Sequence, residues 1–149
     1  MKKILVINGP NMNLLGERQP EIYGELTLVK LNEKLAAHAV EKALQLDFFQ
    51  SNHEGVLIDR IHAAKAEYDG IIINPAALTH YSYAIADALS AVALPAVEVH
   101  LSDIFKREDF RKTSVTAPSC LAQFCGRGAE SYLEALDFLA GIFDKKFAI

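Results

Sequence analysis

Hydrophobic and polar positions divide the chain into short apolar runs alternating with segments of helical period. Ile4-Leu5-Val6-Ile7 opens the series and predicts a buried first strand from Lys3 to Asn8. Leu28, Leu31, Leu35 and Ala39 recur at helical spacing, which predicts a helix from Leu26 to Leu44. Asp47 to Ser51 reads as a second, weaker strand. Ser51 and Glu54 have capping-box spacing, ahead of a helix carrying Leu57, Ile58, Ile61 and Ala64. Gly70 to Ile73 predicts a third strand, and its unbroken β-branched run suits a strand covered on both faces. Ser82 to Val92 predicts a helix, Pro95 to Val99 a fourth strand, Ile104 to Lys112 a short helix or loop, and Ser119 to Phe124 a fifth strand. The series closes with a helix from Ala129 to Phe147, its stripe formed by Tyr132, Leu136, Leu139 and Phe143.

Strands alternating with helices predict a parallel sheet with helices on both faces. At this length the expectation is a single α/β domain over residues 1–149. It is a three-layer, flavodoxin-like, doubly wound sheet of five strands in the order 2-1-3-4-5. Such sheets bind ligands beyond the carboxyl ends of their strands, near the switch point. Residues just after each strand are therefore the informative ones.

The longest of these connections is Gly9 to Gly24, GPNMNLLGERQPEIYG. A loop of that length in a compact chain is usually functional or disordered. Leu14, Leu15, Ile22 and Tyr23 need somewhere to pack, which argues against disorder. The expectation is an active-site loop with a mobile lid around Glu17 to Tyr23. Asn74 and Thr79-His80 follow the third strand, Glu98 to Ser102 and then Arg111 the fourth, and Gly126-Arg127-Gly128 the fifth. Each has a plainer reading: Asn74 as a turn cap, Thr79-His80 as helix-start polarity, His100 as a satisfied structural histidine, Arg111 as a solvated helix residue.

Composition narrows the chemistry. A net charge of -4 gives no electrostatic case for nucleic acid. No apolar run approaches the ~20 residues of a membrane span. Met1-Lys2-Lys3 leads into a strand too short for a signal peptide, so a cytoplasmic protein is expected. Cys120 and Cys125 read as buried core thiols, on opposite faces if both lie in a strand. Every lysine beyond the first strand falls on a predicted helix or in the charged segment holding Lys106 and Lys112, which argues against Schiff-base chemistry. His53 and His62 are helical singles and His38 a surface residue, so no metal-ligand spacing arises. The first loop is neither G-x-G-x-x-G nor a Walker loop.

At four stretches the chain resembles the type II 3-dehydroquinate dehydratases. These are NGPNMNLLGERQPEIYG (Asn8 to Gly24), FFQSNHEG (Phe48 to Gly55), INPAALTHYSYAIADAL (Ile73 to Leu89) and EVHLSDIFKREDFRKTSV (Glu98 to Val115). The resemblance implies a flavodoxin-like enzyme without cofactor or metal, assembled as a homododecamer of trimers. Its substrate would be 3-dehydroquinate. Tyr23 is then the base, Arg18 its activator, Asn11 the enolate stabiliser and His100 the general acid, with Glu98 holding the imidazole. Leu101 and Ser102 match the carboxylate anchor. Asn74, His80 and Arg111 match groups on the ring hydroxyls and carboxylate, and Asp87 a residue donated by a neighbouring subunit.

A phenol in water holds its proton at neutral pH, so a base role asks for a cation beside it. Unit charges ~4 Å apart gain about 1 kcal/mol in bulk water and about 4 at an effective dielectric near 20. Arg18 therefore suffices only where water is mostly excluded, as under a closed lid. Ala86, Asp103, Phe105, Lys112-Thr113 and Arg127 depart from the usual pattern. None removes a catalytic group, and Ala86, Phe105 and Arg127 bear on subunit contacts. The competing readings are a flavodoxin-like binding or signalling module and another small-molecule enzyme on the same scaffold. A receiver domain needs an aspartate ending the third strand, where Asn74 stands; a flavin carrier would purify yellow.

Overall fold

A computed structural model of the chain describes residues 1–147. Strands β1 (Lys2–Asn8), β2 (Leu44–Gln50), β3 (Gly70–Asn74), β4 (Ala96–His100) and β5 (Ala122–Cys125) form one parallel sheet in the order β2-β1-β3-β4-β5. α1 (Pro20–Tyr23) is one turn inside the first loop. α2 (Leu28–Glu41), α3 (Glu54–Glu67), α4 (Tyr83–Val92) and α5 (Ala129–Phe147) cover the sheet. Alternation within each strand decides which layer a residue joins. Ile4, Val6, Ile72, Val97 and Val99 pack with α2 and α5, while Leu5, Ile7, Ile71 and Ile73 pack with α3 and α4. Both sets are buried, so β1 and β3 read as continuous apolar runs. Among the described residues no helix is long and apolar enough to cross a membrane.

Element boundaries depart from the sequence reading for local reasons. α2 starts at Leu28 because the Thr27 hydroxyl accepts from the Lys30 amide at 3.2 Å. It ends at Glu41, since Ala43 adopts φ 56, and β2 begins at Leu44 rather than Asp47. Ser51 and Glu54 do not form a capping box. His53 is the N-cap, and Ser51 Oγ accepts from its amide at 3.0 Å. Ile104 to Lys112 forms two 3-10 turns, Ile104–Lys106 and Asp109–Lys112. The predicted fifth strand loses its start, because Ala117–Ser119 is a 3-10 turn built on Pro118. Cys120 thus lies outside the strand. Both thiols are free, and burial together with the nearby Glu98 charge pushes Cys120 up to about 12.

Ala43, Ala76 and Ala93 all hold left-handed backbone angles. Ala93 does so directly after α4, at φ 56, where a glycine carries no Cβ penalty. Ala93→Gly is expected to raise stability by about 1 kcal/mol. The measurement is the urea midpoint; an unchanged or lower value would show the turn to be unstrained.

β2 is an edge strand with Asp47 at its middle. The Tyr68 hydroxyl donates to this carboxylate at 2.7 Å, Lys3 Nζ lies 3.5 Å away, and Arg60 donates to the Tyr68 oxygen at 3.0 Å. The Tyr68 hydrogen bond, opposed by slight burial and helped by the two cations, holds Asp47 below its usual range.

Candidate active site

The chain leaves the sheet in opposite directions after β1 and β3, and their carboxyl ends meet. The Gly9 amide donates to the Asn74 carbonyl at 2.8 Å. A Cβ on Gly9 would sit 2.6 Å from the Pro75 carbonyl oxygen, so this crossing requires glycine. Tyr132 of α5 ties the two ends together from below. Its buried hydroxyl donates to Asn8 Oδ1 and accepts from Asn74 Nδ2 at 3.0 Å, while Asn74 Oδ1 accepts from the Ala76 amide at 3.0 Å. Asn74 therefore lines the cleft with an amide already engaged by the protein.

Met12 and Leu15 are buried and root the first loop in the core. Gln50 at the end of β2 and Asn52 just beyond it brace the loop. Gln50 Nε2 donates to the Gly9 carbonyl at 3.2 Å and to Asn52 Oδ1 at 3.1 Å, and Asn52 Oδ1 accepts from the Asn11 amide at 2.9 Å. Asn11 is held there in a left-handed conformation, φ 70. The stretch FFQSNHEG thus serves the loop that carries Asn11, a role its own sequence did not disclose.

A cleft of about 720 Å³, counted out to its open mouth, lies between this loop, the end of β4 and the turns that follow it. Asn11, Arg18, Tyr23, Asn74, His80, His100, Leu101, Ser102 and Arg111 all line it. The sequence reading placed Arg18 beside the Tyr23 phenol. In the structure Arg18 lies over the ring, its guanidinium carbon 5.0 Å from the centroid. The phenol oxygen is met instead by Arg107, whose Nη1 donates to it at 2.8 Å and to Ser102 Oγ at 3.4 Å. Arg107 was missed because Lys106-Arg107-Glu108-Asp109 reads as a solvated charge run. The turn capped by Asp103, which accepts from the Phe105 amide at 3.0 Å, brings Arg107 inward.

Glu98 and His100 alternate onto one face of β4, and both are buried. Glu98 accepts from His100 Nε2 at 3.0 Å, Ser114 Oγ at 2.8 Å and Gln123 Nε2 at 2.6 Å, and also from Thr116 Oγ1. Burial pushes its carboxyl up, but the His100 hydrogen bond and charge, with the Thr116 and Gln123 donors, bring it down to about 2. His80 is fixed the other way round. Its Nδ1 lies 2.8 Å from the Thr113 carbonyl, which only accepts, so Nδ1 carries the hydrogen and Nε2 is left as an acceptor when the ring is neutral. Burial holds His80 below its usual value. The Thr113 hydrogen bond opposes this, and the charges of His100 and Arg111 add to it.

Two expected residues lie elsewhere. Asp87 is exposed on α4 and does not line its own chain's cleft. Arg127, expected at the same sheet edge, pairs with Glu134 on α5. Arg111 lines the cleft beside Phe110, its guanidinium 4.7 Å from that ring, and pairs with Glu108. Among the described residues no group of three or more His, Cys, Asp or Glu side chains is placed to hold a metal ion.

The family model described as dehydroquinase class II matches residues 2–140. The chain belongs to that family. Class II dehydroquinases are hydro-lyases, and this chain is accordingly an enzyme of that kind. It is 60% identical over 137 residues to a 3-dehydroquinate dehydratase of Caldicellulosiruptor saccharolyticus, covering 91% of this chain and 94% of that one. A Clostridium botulinum 3-dehydroquinate dehydratase is 52% identical over 139 residues, covering 93% and 95%. The crystal structure of the type II dehydroquinase from Butyrivibrio crossotus superposes with a TM-score of 0.91 at 47% identity, covering 93% of this chain and 97% of that one. The type II dehydroquinase from Propionibacterium acnes also gives 0.91, at 40% identity, over 95% and 97%.

Proposed function

We propose that this chain is one catalytic domain that dehydrates 3-dehydroquinate to 3-dehydroshikimate, the shikimate-pathway reaction, by anti elimination through an enolate. The observation that carries the reading is the pairing, in one cleft, of a phenol bracketed by two guanidiniums with an imidazole backed by a buried carboxylate.

The substrate is a β-hydroxy ketone with a carboxylate. Tyr23, as phenolate, takes the proton beside the ketone, and the electron pair moves toward the carbonyl oxygen. A guanidinium donating to the phenol oxygen supports negative charge there before the transfer. Asn11 stabilises the enolate, directly or by orienting a water. His100 then gives a proton to the departing hydroxyl, water leaves, and the carbon–carbon double bond forms. Glu98 accepts the Nε2 hydrogen, so the proton comes from Nδ1 of the doubly protonated ring, which is left neutral with its hydrogen still on Nε2. Ser102 and the backbone at Leu101 hold the substrate carboxylate together with Arg111, and His80 Nε2 accepts from a ring hydroxyl. Asn74 shapes the floor.

The reading requires neither cofactor nor metal, and we place the enzyme in the cytoplasm. We assign the active form as a homododecamer built of trimers, in which Asp87 reaches a neighbouring cleft. Its exposure on α4, beside exposed Tyr83, supports that placement. A fully active isolated monomer would contradict it.

Mixing pure protein with 3-dehydroquinate, with no metal or cofactor added, should raise the conjugated-enone absorbance; a flat trace would sink the assignment. Arg107→Ala is expected to lower kcat about 10- to 100-fold, the worth of one hydrogen bond to a charged group. Steady-state kinetics decide its role, since a raised KM with kcat intact would move Arg107 from the base to substrate binding.

A further inference from the structure

The donors around Glu98 outnumber what holding one histidine requires. Thr116, Ser114 and Gln123 come from segments far from β4 in the chain, yet all three converge on the one carboxylate. Their hydrogens can be followed. Ser114 and Thr116 give theirs to Glu98, so Thr79 Oγ1, 2.8 Å from Ser114 and 2.6 Å from Thr116, must donate to one of them. The Ala117 amide also donates to Ser114 at 3.0 Å, which orients that hydroxyl. Glu98, Thr79 and Thr116 are fully buried, so none of these groups has water as an alternative partner.

One proton in this cluster has a choice. It can sit on His100 Nε2, facing a carboxylate, or on Glu98, facing a bare imidazole nitrogen. Three donors on the oxygens favour the ionised carboxylate, and a protonated Glu98 would set its own hydrogen against them. We propose that Thr116, Ser114 and Gln123 are positioning residues that keep this shared proton on His100 Nε2, so that the doubly protonated ring delivers its other proton into the cleft from Nδ1 and is left neutral with its hydrogen on Nε2. The inference rests on the dehydratase reading above. The other ionisable groups near the pair are Arg18, Tyr23, His80, Arg107 and Arg111, which line the cleft with His100, and Cys120 and Cys125, which feel the Glu98 charge.

Thr116→Val and Gln123→Met each remove one donor at similar volume. Each is expected to lower kcat about 10- to 100-fold, and Thr116→Ser to restore it. KM for 3-dehydroquinate should stay within about twofold, because none of these side chains lines the cleft. The second readout is the nitrogen-15 spectrum of histidine-labelled protein at alkaline pH, with His100 assigned by the signal lost in His100→Gln. In the parent its hydrogen should reside on Nε2; in either donor-deleted variant the signals should move toward a mixture of tautomers. Parent-like turnover with unmoved nitrogen signals would overturn the proposal. Should Thr116→Val fail to fold, Gln123→Met decides by the same two measurements. A parent protein inert toward 3-dehydroquinate would instead break the dehydratase reading, and the spectra would still decide where the proton sits.

Discussion

Tyr23→Phe is expected to fold like the parent and to lose about 10²- to 10⁴-fold in kcat, the range of a general acid–base contribution. Only an oxygen is removed. The half-buried ring still packs on the core beside α2 and α5 and still lies beneath Arg18 and Arg107, whose guanidinium carbons are 5.0 and 5.5 Å from its centroid. Thermal unfolding should therefore move by less than about 1 kcal/mol. What disappears is the one oxygen that Arg107 addresses and to which the proposed mechanism assigns the proton. KM should change little, because the substrate's carboxylate and hydroxyl partners remain. Near-parent turnover in this variant would remove Tyr23 from the mechanism, and loss of fold would recast it as a packing residue.

Glu98→Gln is expected to lower both stability and activity, by a mechanism with a defined pH dependence. The folded carboxyl titrates at about 2, against an ordinary 4.5. A value lowered by folding means that the anion's contribution is complete above the unfolded value and fades as pH falls toward the folded one. The gap corresponds to roughly 3 kcal/mol. An amide would bring two N–H groups into a site where Ser114, Thr116 and Gln123 already point donors. At neutral pH the variant should lose about 3 kcal/mol in urea unfolding. Its deficit should shrink as pH is lowered from about 4.5 toward 2, where the parent carboxyl becomes neutral as well. A deficit constant over that interval would mean that the charge contributes nothing and that shape alone is lost.

The sequence was most readable where physics leaves one solution. β1 and β3 are buried on both faces and appear as unbroken apolar runs, and the stripe of α5 follows from its contact with the sheet. Edge strands blur, because β2 and β5 are only partly covered. Helix ends were missed where an alanine, not a glycine, takes the left-handed turn, as at Ala43. In the site, Glu98 and His100 were legible because a strand repeats every two residues. Their supporters were not: Thr116 and Gln123 reach Glu98 only through the fold, across sequence separations of 18 and 25. Arg107 had the opposite problem, since a charged neighbourhood in sequence concealed an inward-facing group.

The ion-paired Asp47 bears on how the protein behaves at high concentration. LQLDFFQ on an open sheet edge is a sticky template for strands of other copies, and one anion at its centre interrupts it. The Tyr68 hydrogen bond, with Lys3 and Arg60, holds that carboxyl below its usual range. Asp47 thereby guards the edge against strand addition by other copies, and a substitution that neutralises position 47 would leave β2 without a charged residue.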